Sequence, residues 1–222
     1  MKIKLPKRDS GLTVVELLVV ISIFLVITGV TVFQYGNFRS SVSLQNLTDD
    51  IALAVRKAQS FAIGARSSDI RNATIPSGSI NFNKSFGVHF SLSETNSPLE
   101  GNTKSFLMFS VPSTSVNKKY DYEGGAPCGD ASNDCVELFS ISTADYIKYL
   151  IVDGEVKNNP NASLDIVFTR PDPRAYFCFR DEPSDSCTVA SNVGILITNG
   201  MADDKERTKT ISIQNTGQIS TQ

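Results

Sequence analysis

The chain has 222 residues, with 21 Lys and Arg against 23 Asp and Glu, one histidine, four cysteines and no tryptophan. A hydrophobic fraction of 41% supplies one ordinary globular core plus an extra segment and excludes two large domains. A formal charge of −2 excludes a globally basic surface of the kind nucleic acids attract.

The amino terminus carries the strongest pattern. Lys2, Lys4, Lys7 and Arg8 precede Gly11, and from Leu12 to Phe38 the sole charge is Glu16. Apolar residues dominate from Leu12 to Phe33. About 20 such residues, rising about 1.5 Å each in a helix, span a bilayer core. Basic residues before the run, and only Arg39 soon after it, put the N-terminus on the cytoplasmic side. A cleaved secretory signal would be shorter and would end in small residues. This run ends Val32-Phe33-Gln34-Tyr35-Gly36. A plain membrane anchor fits the length and stays open, but it leaves Glu16 unexplained. A carboxylate deep in a spanning helix costs about 2.5–3.5 kcal/mol and is usually kept for a partner.

In these residues the chain resembles the type IV prepilin family, type II secretion pseudopilins included. The family pattern is a short basic leader, a glycine, an apolar residue, often a threonine, and a glutamate at the fifth mature position. Gly11, Leu12, Thr13 and Glu16 occupy those places in order. The resemblance implies that a prepilin peptidase cuts between Gly11 and Leu12 and methylates the new amine of Leu12. It also implies that Glu16 pairs with that amine on a neighbouring subunit during assembly. The physics agrees, since a helix N-terminus and an ammonium both favour a nearby carboxylate, and a charge in lipid needs a partner. The implied partners are other pilin or pseudopilin subunits, the peptidase, inner-membrane assembly machinery and membrane lipid. The implied location is the bacterial inner membrane, crossed once, with the bulk of the chain outside the cytoplasm. Many family members carry a proline near the place of Phe33; this chain has none, and Gly29 and Gly36 are the nearest substitutes.

Beyond the apolar run, Leu44, Leu47, Ile51, Ala54, Ala58 and Phe61 recur at three- and four-residue steps, an amphipathic helix with one face to bury. Asp49 and Asp50 ahead of Arg56 and Lys57 support it through side-chain pairing and dipole sense. The reading is a helix from about Leu12 to Phe61, ending at Gly64, with room for a break at Gly36-Asn37.

From Ser67 onward the period becomes two. Phe86, Val88, Phe90 and Leu92 alternate with Gly87, His89 and Ser91, and Leu164, Ile166 and Phe168 with Asp165 and Val167. Val193, Ile195 and Ile197 do the same, and shorter runs fall at 105–111, 136–141, 146–152, 175–179 and 209–213. Asp153-Gly154 and Asn199-Gly200 signal hairpin turns, and Pro171-Asp172-Pro173 signals a loop. The fold class is therefore α+β: a long N-terminal helix packed against an antiparallel β head, pilin-like by the resemblance. The divisions are a leader at 1–11, a transmembrane half-helix at 12–36, an amphipathic half at 37–66 and a β-rich head at 67–222.

The cysteines form two close pairs, Cys128 with Cys135 and Cys178 with Cys187, separated by polar turn-formers. Short loops of this kind suit local disulfides, which persist in oxidising compartments. Neither pair has the C-x-x-C spacing of a zinc site. Asp130, Asn133 and Asp134 offer oxygen ligands to calcium, but their spacing misses the EF-hand pattern and turn-forming explains them equally. No metal or cofactor is expected.

The ending, Thr210–Ile213 and Gln218–Ser220 around Asn215-Thr216-Gly217, reads as two strands and a turn. With the segment from Asp50 to Ala62, it resembles the H-type minor pseudopilins and related minor pilins. Gln218 stands where that subgroup commonly has an arginine, so nothing that depends on the arginine is carried over.

No nucleophile–base arrangement, P-loop or dinucleotide fingerprint is present. His89 reads as a solvent-facing strand residue. Removing the leader takes away four of the 21 basic and one of the 23 acidic residues, leaving a net −5 that offers phosphate no footprint. Lys205, Arg207 and Lys209 sit beside Asp203, Asp204 and Glu206, a solvated hairpin. The expected role is structural, as a minor pilin or pseudopilin of a pilus or secretion filament. A DNA-binding minor pilin of natural competence and a membrane-tethered enzyme are the alternatives.

Overall fold

The structure, a computed structural model, describes residues 13–64, 84–94, 97–113, 118–121, 128, 134–182, 186–201 and 206–221. Its one long helix, α1, runs Val14–Ile63. Thr13 starts it: its Oγ1 accepts a hydrogen bond from the Glu16 backbone N–H at 3.2 Å. Thr13-Val14-Val15-Glu16 has the Thr-x-x-Glu spacing of a capping box, so Glu16 sits where a carboxylate also suits the helix dipole. The helix includes Gly36 and Asn37, where the sequence left room for a break.

The chain divides into two compact units between Ser40 and Ser41. In the first unit, Val14–Val32 is long and apolar enough to cross a membrane, and none of it is buried. Ser22 and Thr31 return their hydroxyl protons to carbonyls one turn back, so the helix satisfies these polar groups itself.

In the second unit α1 continues, and among the described residues ten strands follow it: β1 (Lys84–Ser91), β2 (Ser105–Pro112), β3 (Cys135–Ser140), β4 (Tyr146–Val152), β5 (Glu155–Lys157), β6 (Ser163–Thr169), β7 (Asp172–Arg180), β8 (Asn192–Thr198), β9 (Thr208–Gln214) and β10 (Ile219–Thr221). A 3-10 turn, η1 (Pro98–Glu100), lies between β1 and β2. The strands form two antiparallel sheets, ordered β3-β2-β1-β6-β7 and β10-β9-β8-β4-β5. Leu44, Leu47, Ile51, Val55, Ala58 and Ala62 on one face of α1 share a single core with Phe86, Val88 and Phe90 of β1 and Ile195 and Ile197 of β8. The opposite helix face keeps Asp49, Leu53 and Arg56 exposed. Burying the larger of the core side chains stabilises by about 1.5–3 kcal/mol each, which is what docks the helix.

The turns divide by length. Asp153 and Gly154 both have positive φ, 49° and 89°, as a two-residue turn from β4 into β5 requires. Asn199-Gly200 does not make such a turn: β9 begins only at Thr208. The Asn199 side chain instead accepts from the Arg207 N–H at 3.0 Å and pins a wider connection. Pro171-Asp172-Pro173 is only partly loop, because β7 already starts at Asp172. As the outermost strand of its sheet, β7 tolerates Pro173, which cannot donate to a ladder.

The first sheet is buried on both faces. Its outer face carries a second cluster of Leu107, Phe109, Val111, Tyr120, Cys135 and Val167, with Leu99 and Cys128 packed against it. This corrects the reading of His89 as solvent-facing. Its alternation with the core neighbours Val88 and Phe90 is real, but the layer above covers it and leaves 3% of the residue exposed. Period two fixes which face a side chain takes, not whether that face meets water.

Candidate functional site

Of the residues singled out in the sequence, Gly11 and Leu12 lie outside the described residues. Glu16 lies in the first turn of α1, the one acidic residue there. Asp130 and Asn133 also fall outside the described residues, while the Asp134 carbonyl accepts from the Ser110 N–H at 2.8 Å. Among the described residues no group of three or more His, Cys, Asp or Glu side chains converges as a metal site.

The structure contains two disulfides. Cys128–Cys135 ties β3 to the segment preceding it, with the Cα atoms 4.9 Å apart. Cys178–Cys187 ties β7 to the segment following it, at 4.8 Å. Both close short loops, so their entropic contribution is at the smaller end for such bonds. Each sits on an outermost strand of the first sheet, where unpaired backbone groups otherwise invite slippage.

Beneath the outer layer lies a buried polar cluster. His89 on β1 faces Asp165 on β6 as its direct cross-strand partner. Nδ1 of His89 is 2.6 Å from Asp165 Oδ1, and the other carboxylate oxygen accepts from Arg180 Nη2 at 3.1 Å. Arg180 also donates to the Tyr120 carbonyl at 3.3 Å. Nε2 of His89 lies 3.2 Å from the Glu100 carbonyl oxygen, and the Tyr120 ring sits 5.0 Å from the imidazole. Tyr120 in turn donates its hydroxyl proton to the Leu99 carbonyl at 2.9 Å. Three polar side chains that are 3%, 0% and 6% exposed thus hold η1 and residues 118–121 onto the sheet. Burial on this scale is tolerated only because the charges pair. Gly101 completes the packing. Its φ of +75° favours glycine, and a Cβ there would stand 2.9 Å from His89 Cδ2.

Sequence reasoning missed this cluster. The available signal was Asp165 itself, a charge inside Leu164-Asp165-Ile166-Val167-Phe168, where a strand this apolar buries both faces.

A second group ties the head's loops together. Lys104 donates to the carbonyls of Thr143, Ala144 and Asp145 at 2.8, 3.0 and 2.7 Å. Burial holds its ammonium below the usual lysine range, and the Asp145 carboxylate partly offsets that. The buried Asp145 carboxylate accepts from Ser43 on α1 and from Thr143. Elsewhere Lys148 and Glu206 pair at 2.6 Å. Their hydrogen bond raises the lysine and, helped by Thr198, lowers the glutamate.

A groove of about 360 Å³ runs between α1 and β3, lined by Ser43, Asn46 and Asp50 on one side and Phe139 and Ser140 on the other. Asp50 is the one ionisable side chain in its lining. No family model, curated protein or solved structure matches the chain.

Proposed function

We propose that this chain is a structural, non-enzymatic filament subunit of the type IV pilin or type II secretion pseudopilin kind. In this reading it sits in a bacterial cytoplasmic membrane with its disulfide-bonded head outside. The observation that carries the reading is Val14–Val32: a spanning-length apolar helix, none of it buried, whose sole charge is Glu16 in the first turn. An uncovered apolar helix must find lipid or other helices, and a carboxylate within it must find a cation. A processed amine on Leu12 of a neighbouring copy is such a cation, and head-to-tail packing of one surface on another extends without closing. The two-sheet head, docked on the amphipathic half of the same helix, suits a subunit that presents loops to neighbours, assembly factors or cargo. Its cysteines, both pairs oxidised, suit the non-cytoplasmic side.

Co-expression with a prepilin peptidase, followed by intact-mass analysis, tests the reading. The expected product starts at Leu12 and carries one added methyl group on its amine. A chain that keeps its leader, or is cut beyond Phe33, would overturn the pilin reading and return the segment to a plain anchor.

A further inference from the structure

The groove between α1 and β3 has a polar tie beyond each end. On one side Lys57 of α1 pairs with Glu137 of β3. On the other, Ser43 of α1 and Thr143 donate to the buried Asp145 carboxylate, and Lys104 donates to the Asp145 carbonyl. Each tie brings a cation beside an anion and so adds little net charge. Between them about 360 Å³ stays open over a floor of Leu47, Phe106, Phe139 and Ile141, a volume within the range of binding pockets. Asp50 lines this groove, is exposed, and makes no ion pair among the described residues.

The opposite edge of the same sheet carries a projection of the opposite charge. The order β3-β2-β1-β6-β7 puts β7 at the edge away from β3, and Arg170 and Pro171 form the turn from β6 into β7. Arg170, Pro171 and Pro173 are all exposed. Asp172 and Arg174 neutralise each other at 2.6 Å, while the Arg170 guanidinium makes no ion pair among the described residues. The tip is therefore net positive. Two fixed proline φ angles leave it little conformational freedom to lose on binding.

We propose that the Arg170-Pro171 tip of one copy seats in the Asp50 groove of the next. The guanidinium meets the carboxylate, and the arginine stem and Pro171 cover the apolar floor. This deepens the filament reading given above, by naming a contact between neighbouring heads, and rests on that reading. Height along α1 sets the symmetry. Gln59 donates to the Pro173 carbonyl at 3.1 Å, so the tip lies near Gln59, whereas the groove runs from Ser43 to Asp50. That separation of 9 to 16 helix residues corresponds to about 14–24 Å. Parallel copies therefore bring tip and groove together only when one is displaced along the axis. Such a contact is not mutual: each copy keeps a free tip or a free groove for another, and the row stays open.

The test needs neither membrane nor filament. Full-length chains in detergent micelles are mixed, one population 15N-labelled and the other carrying a spin label at Pro173→Cys. The expected result is line broadening between molecules, confined to amides at 43–50 and 138–143. Asp50→Arg in the observed copy, or Arg170→Asp in the spin-labelled copy, should each weaken it about three- to tenfold, from the loss of one exposed pair plus a repulsion of similar size. The two variants mixed together should restore it. Broadening that is absent, centred on another surface, or indifferent to both reversals would overturn the proposal, as would a failure of the mixed reversals to restore it. The amide spectrum of each variant reports folding, and Asp50→Asn replaces Asp50→Arg if the latter does not fold. A chain that keeps its leader defeats the filament reading and leaves this readout untouched. Correct processing without the broadening defeats the contact alone.

Discussion

Lys104 directs its ammonium at three carbonyls of one loop, those of residues 143–145, at 2.7 to 3.0 Å. Lys104→Met keeps most of the stem's packing and removes the donors. The expected loss is about 1–2 kcal/mol in denaturant unfolding of the head, at the low end for charged bonds because the group is partly solvated. An unchanged midpoint would show that water replaces the lysine at no cost. Residues of this kind are the least legible in sequence. Nothing around Lys104 marks it as different from an ordinary surface lysine, because its three acceptors are main-chain atoms about 40 positions later. His89 was misread for a related reason: the layer that covers it, including Tyr120, comes from a segment with no strand or helix of its own among the described residues. Glu16 and the cysteines could be picked out because local context alone makes them unusual, a charge among apolar residues and thiols spaced by turn-formers.

At the scale of elements, periodicity carried further. The three- and four-residue steps of Leu44, Leu47, Ile51, Ala54 and Ala58 correspond to the buried face of α1, and the alternation at 86–90, 164–168 and 193–197 corresponds to the core faces of β1, β6 and β8. Sheet order was not legible, because it depends on which strands meet across the core. Neither was the length of the β8–β9 connection, where Asn199 bridges to Arg207 through side-chain bonds that a turn dipeptide does not encode. The helix gives a sharp test of this scale. Ile51 is fully buried and Leu53, two residues on, is 60% exposed. Ile51→Ala should destabilise the head by about 2–5 kcal/mol, the transfer loss plus a cavity, whereas Leu53→Ala should stay within about 0.5 kcal/mol. Urea midpoints on both variants check the pair. Similar losses would mean that the exposed face of α1 is packed against something in the folded protein.

At the scale of the whole molecule, the question is what Glu16 does once the helix leaves water. Two roles compete on the same atoms. Thr13 already accepts the Glu16 N–H, so the residue has a place in the cap of α1 that needs no second subunit. The proposed assembly role needs its negative charge, facing a neighbour's Leu12 ammonium in a medium where an unpaired charge is costly. Glu16→Gln separates them: the amide keeps the side chain's length and capping ability, but it carries no charge. Glu16→Ala removes both. If the residue serves only the cap, Gln should behave as the wild type and Ala should weaken the helix start by about 1 kcal/mol or less. If the charge joins subunits, both variants should be cleaved, inserted and folded, and both should enter filaments at a small fraction of the wild-type level. Membrane cross-linking between single-cysteine reporters on the head reads incorporation, and protease resistance of the head reads folding. Insertion should, if anything, improve in Glu16→Ala, because the costliest residue in the span is gone. A deficit in cross-linking beside intact insertion and folding therefore cannot come from a damaged subunit. Wild-type incorporation of the Gln variant would confine Glu16 to the helix cap and leave Val14–Val32 as an anchor alone.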